Sequence, residues 1–113
     1  MPRPQCVMIA CLMLLVAAPA AAKTDAAIDA GALATSFFGH GNREFWADNP
    51  GGPFFSNSDA AALANTHQPT FVTALNCLNG LFAHPVATTS LTETLHNEPN
   101  TGAIATWSPS ALG

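Results

Sequence analysis

The sequence predicts an α/β protein with about three parallel strands, and three observations carry that prediction. Short apolar, β-rich runs recur at 32–38, 70–76 and 103–107. Each run follows a segment with helix-start or helix-stop chemistry. The resulting order is helix, strand, helix, strand, helix, strand. That alternation is the pattern of right-handed βαβ units, which lay their strands in parallel.

Ahead of the first unit, residues 1–22 read as a secretory signal helix. Arg3 is the one positive charge before an apolar run from Cys6 to Ala18, which Pro19 ends. Ala20-Ala21-Ala22 supplies the small residues that signal peptidase accepts, so cleavage is expected before Lys23. The run is about 13 residues, too short for a bilayer that needs roughly 20 helical residues. A secreted, periplasmic or cell-surface location is expected, with no membrane span after cleavage. The alternatives are a misplaced start codon or an uncleaved anchor. Lipidation at Cys11 is disfavoured, because too little apolar sequence precedes it.

The domain is expected over 23–113. Residues 25–30 look like the last turns of a helix stopped by Gly31. Residues 32–38 are nearly all apolar or small, which suits a strand buried on both faces. Residues 39–57 are rich in Gly, Asn and Pro and read as a loop. Asn57 or Ser58 is expected to cap a short helix from Asp59 to about Asn65. The second strand, 70–76, runs into Cys77 and the turn pair Asn79-Gly80. Ser90-Leu91-Thr92-Glu93 matches a capping box and opens a helix to about Asn97. Thr101-Gly102 leads into the third strand, which stops at Ser108-Pro109.

Composition excludes several functions. Of 113 residues, 49% are hydrophobic and 9% charged, against about 25% charged in ordinary soluble domains. The formal charge is −4, with three basic residues. No Lys/Arg patch is available for nucleic-acid phosphates or anionic lipid. Cys6 and Cys11 leave with the signal, so Cys77 is a lone thiol without an internal disulfide partner. His67, His84 and His96 do not join Cys77 in any compact zinc spacing. No metal site or cofactor is expected, and calcium is not readable from this segment.

In an open α/β sheet, sites lie beyond the carboxyl ends of the strands. His40 follows the first strand and Cys77 ends the second. If those strands are neighbours, thiol and imidazole emerge at one sheet edge. An ordinary thiol is only a few per cent thiolate at neutral pH, and a nearby histidine raises that fraction and can protonate a leaving amine. Gly39 and Gly41 flank His40 and let backbone approach a substrate. The amides of Gly41 and Cys77 are natural donors to an oxyanion. This pattern points to acyl transfer at an amide. The plainer alternatives are a buried cysteine serving as a small hydrophobe and a Gly-His-Gly turn with an exposed histidine.

The segment Gly39-His40-Gly41-Asn42-Arg43-Glu44-Phe45-Trp46 resembles the Gly-His-Gly…Trp segment of gingipain-type cysteine peptidases. Phe71 to Phe82, with Asn76-Cys77-Leu78-Asn79-Gly80, is similar to their nucleophile strand and turn. Ser90-Leu91-Thr92-Glu93 resembles the following helix start, and Gly102-Ala103-Ile104 the next strand. Ala27 to Leu33 is similar to the approach to the histidine. The match runs in order from about Ala26 to Gly113. The resemblance implies a partial caspase-like α/β/α fold, with His40 as general acid/base and Cys77 as nucleophile. It implies an oxyanion site at the Gly41 and Cys77 amides, and a protein or peptide substrate. Trp46 and Trp107 are candidates for the substrate cleft, with core packing as the alternative for each. Asp48 and Glu93 are candidates to orient His40, with a loop acid and a capping partner as the alternatives.

A full domain of this family is expected to carry strands and helices ahead of the histidine strand; with three strands and short helices here, much apolar sheet surface is expected to stay exposed. Two further readings therefore stand beside the peptidase: an inactive family fragment, and an exported non-catalytic binding module.

Overall fold

The computed structural model describes residues 20–85 and 89–112. The expected signal segment lies outside them up to residue 19. Its last three residues open the first helix, α1 (Ala20–Asp29). Gly31 ends this helix with φ +91°, a left-handed conformation that glycine adopts without steric cost.

Three strands form a parallel sheet: β1 (Ala34–Phe38), β4 (Thr70–Leu75) and β5 (Ala103–Trp107). Their order is β1-β4-β5, with Phe38 opposite Leu75 and Thr73 opposite Trp107. The expected adjacency of the first two strands is therefore met. A register shift between Thr70 and Phe71 leaves Ile104 as the unpaired extra residue of β5.

Residues 39–57 are not a plain loop. They fold into an antiparallel hairpin, β2 (Phe45–Asn49) and β3 (Gly52–Ser56), turning at Pro50-Gly51. The Gly/Pro signals that read as a loop are the hairpin's own turn chemistry. A short helix, α2 (Asn57–Ala61), follows at once. Its cap is Ser56, one residue ahead of the expected Asn57 or Ser58. Asp59 reaches back to the Ser56 amide at 2.7 Å and completes a capping box. The helix α3 (Leu91–Asn97) carries the expected Ser90/Glu93 box.

Hairpin and helices share one side of the sheet, and the core lies between. Trp46, Phe55, Ile28, Leu63, Leu91, Leu95, Val72 and Ala74 are buried there. Phe37 of β1 stacks flat on Trp46, with ring centroids 4.8 Å apart. A fully buried valine, leucine, isoleucine or phenylalanine side chain contributes about 1.5–3 kcal/mol. The other side of the sheet is open. Phe38 is 72% exposed and Trp107 70%, with Phe71 and Leu75 beside them. The reading of 32–38 as a strand buried on both faces is thus corrected, while the exposed apolar surface expected of so few elements is present. β1 and β4 alternate in exposure, because among the described residues every packing element lies on one side.

Candidate active site

The sheet edge where β1 and β4 end carries two turns. After β1, the Gly39 amide still donates to the Leu75 carbonyl at 3.3 Å. The chain then folds back along β2. Ala47 N–H donates to His40 O at 2.7 Å and Asn42 N–H to Phe45 O at 3.0 Å. These two bonds frame Gly41 opposite Trp46 as a pair that exchanges no hydrogen bond of its own. The Asn42 side chain closes the turn, accepting from the amides of Glu44 at 2.7 Å and Phe45 at 3.1 Å. His40 is exposed at the tip.

After β4 comes the second turn. Cys77 is a free, half-buried thiol. Leu78 takes φ +61°, a left-handed conformation that costs a non-glycine residue about 1–2 kcal/mol. Three bonds hold it there: Leu78 N–H to Ala111 O at 3.1 Å, Gly80 N–H to Pro109 O at 2.9 Å, and Leu81 N–H to Leu78 O at 3.0 Å. Gly80 has no room for a side chain, since a Cβ would lie 2.8 Å from Ser108 O.

The two turns touch. A Cβ on Gly41 would lie 3.2 Å from the Asn76 side-chain carbon and 2.9 Å from Phe45 O. Glycine is therefore required for the histidine turn to sit against the residue preceding Cys77. The start of α3 clasps both turns: Leu91 N–H donates to Arg43 O at 2.7 Å, and Thr92 N–H to Asn79 O at 3.3 Å. Among the described residues, neither the Gly41 nor the Cys77 amide donates to another protein group.

An open depression of about 350 Å³ lies beside the turns, lined by Asn42, Arg43, Glu44, Leu78, Leu81 and His84. Arg43 pairs with Glu44 at 2.9 Å. The two tryptophans part company. Trp46 is 1% exposed and belongs to the core, so it supports the histidine turn from beneath and does not line an open cleft. Trp107 lies exposed at the carboxyl end of β5. Glu93 is engaged in the α3 capping box. Among the described residues, no group of three or more His, Cys, Asp or Glu side chains converges as a metal site would require, and no helix is long and apolar enough to cross a membrane.

The residue that sequence reasoning passed over is Asn79, taken there as a turn residue. It is 1% exposed, and its side chain bonds to both turns. Its partners lie 33 and 37 residues away, so no local pattern marked it.

Adjacent parallel strands thus end in a glycine-flanked histidine and a thiol, in an α/β domain. The model of Peptidase family C25 matches residues 15–113, and the chain belongs to that family. Among solved structures, the fold is similar to the complex of Porphyromonas gingivalis RgpB pro- and mature domains. That match has a TM-score of 0.68 and 23% identity, covering 81% of this chain and 21% of the other. A second solved structure, described as a protease, matches with TM-score 0.64 and 19% identity, over 76% of this chain and 18% of that one. The chain thus spans about a fifth of the length of the solved chains it resembles. No curated protein matches. The three-stranded parallel sheet with its helices is the partial caspase-like fold that the motifs implied.

Proposed function

We propose that this chain carries the reactive pair of a cysteine peptidase, with Cys77 as nucleophile and His40 as general acid/base. The observation that carries the reading is the contact of the two turns at one sheet edge, Gly41 against Asn76. In the proposed reaction, the Cys77 thiol gives its proton to His40 as Sγ bonds to a peptide carbonyl carbon. The carbonyl oxygen takes the negative charge and is held by the Gly41 and Cys77 amides. The intermediate collapses, the C–N bond breaks, and His40 protonates the departing amine. Water, deprotonated by His40, then hydrolyses the thioester and restores the thiol. The depression beside Leu78 and Leu81 offers a partly apolar wall for a substrate side chain. The same reading takes residues 1–22 as an export signal, and a peptide or protein outside the cytoplasm as substrate.

A second reading, a non-catalytic member of the family, is favoured by the bare apolar face of the sheet. Fluorogenic peptide amides varied at the residue before the scissile bond separate the two. The peptidase reading expects hydrolysis by the full chain, reduced at least about 10³-fold in Cys77→Ala and in His40→Ala. Absence of hydrolysis with every peptide, or its survival in Cys77→Ala, favours the second.

A further inference from the structure

We infer that Asn79 is the positioning residue that sets the histidine turn against the nucleophile turn, an inference that rests on the peptidase reading above. The argument is a complete inventory of one buried amide. An asparagine side chain offers a carbonyl oxygen that accepts two bonds and an NH₂ group that donates two. In Asn79 all four are used. Oδ1 accepts from Trp46 Nε1 and from Asn76 Nδ2, the latter at 2.7 Å. Nδ2 donates to Asn42 O and to Phe45 O, the latter at 3.4 Å.

The partners divide by origin. Asn42, Phe45 and Trp46 belong to the histidine turn and the strand it folds upon. Asn76 precedes Cys77, and Asn79 itself follows it by two residues. One side chain thereby fixes the spacing of two segments more than 30 residues apart in sequence. The two side chains nearest to it in shape do not fill the place. Aspartate keeps the acceptors but loses both donors, and its charge faces two carbonyl oxygens. Leucine leaves Trp46 Nε1, Asn76 Nδ2 and two carbonyls without Asn79, and unmade buried bonds are costly. Because the four bonds share one planar group, they order both turns together.

The test is the rate of Cys77 alkylation by iodoacetamide from pH 5 to 9 on the full chain. It uses wild type, His40→Ala, Asn79→Asp and the double variant, each checked for fold by circular dichroism. A merely structural Asn79 alters the melt and leaves the histidine dependence intact. A positioning Asn79 removes that dependence. Wild type is expected to react about tenfold faster than His40→Ala at pH 6.5, as a thiol held beside a histidine does. In folded Asn79→Asp the ratio between the presence and absence of His40 is expected to fall below about twofold. Should Asn79→Asp not fold, Trp46→Phe replaces it: a smaller aromatic ring stays in the core and the Nε1 donor goes, and the ratio is expected to drop about threefold. A ratio that stays near tenfold in a folded Asn79 or Trp46 variant overturns the inference and leaves the peptidase reading standing. A wild type no different from His40→Ala overturns both.

Discussion

The two faces of the parallel sheet are built from similar residues and have opposite fates. On the covered face, Phe37, Val72 and Ala74 meet Trp46, Phe55, Leu91 and Leu95. On the other, Phe38, Phe71, Leu75 and Trp107 stand exposed. The covered face carries the packing, and its hairpin and α3 also hold the turns that bear His40 and Cys77. The open face holds apolar surface without cover. The difference teaches that the candidate site depends on one layer only: it is supported from the hairpin side, through Trp46 and Asn79.

The largest effect that sharpens this comparison is expected from Trp46→Ala. The substitution removes a fully buried ring, its stacking on Phe37 and its bond to Asn79. A loss of about 3–5 kcal/mol is expected, read as a collapse of the thermal or urea transition. The counterpart on the open face, Phe71→Ser or Phe38→Ser, is expected to change stability by less than about 1 kcal/mol, and to lower binding of an apolar-surface dye. Comparable destabilisation by Phe38→Ser and Trp46→Ala would break the comparison, since it would mean that the open face is packed in solution.

A smaller effect comes from pH. Asp25 on α1 is pushed up from 3.8 to about 6, first by burial and then by the charges of Asp59 and Asp29. One of its oxygens, Oδ1, is buried without a hydrogen-bond partner. The folded state then holds the Asp25 proton more tightly than the unfolded chain. Stability from this group is full below about pH 3.8, falls as pH rises, and is lost above about 6. Asp25→Asn is expected to raise the melting temperature by a few degrees at pH 7 and to leave it nearly unchanged at pH 4. Allowing for solvent screening of a half-exposed carboxyl, the gain is about 1 kcal/mol. An equal effect at both pH values would contradict the assignment.

Much of this arrangement was legible from residue order. Three β-rich runs separated by helix signals gave the parallel sheet, because strand propensity and capping chemistry are local. The Ser90/Glu93 box gave α3 for the same reason. The placement of His40 and Cys77 at one sheet edge was legible because each lies two residues past the end of a strand. The β2–β3 hairpin was not, since Asn49-Pro50-Gly51-Gly52 obscured the aromatic pairs on either side of it. Ser56 was passed over as the α2 cap because Asn57 and Ser58 are equally good capping residues. Burial of Trp46, and the role of Asn79, depend on contacts between segments more than 30 residues apart, which no local spacing reveals. The exposed apolar surface was legible from the count of elements, since three strands with short helices leave too little to cover a sheet on both sides; which side stays open was not.

The measurement that bears most directly on the account is the alkylation of Cys77 at pH 6.5 in the intact chain, with and without His40. If the turns hold thiol and imidazole together, wild type reacts about tenfold faster than His40→Ala. Equal rates in two folded proteins would contradict the account, leaving Cys77 and His40 at one sheet edge without a shared chemistry.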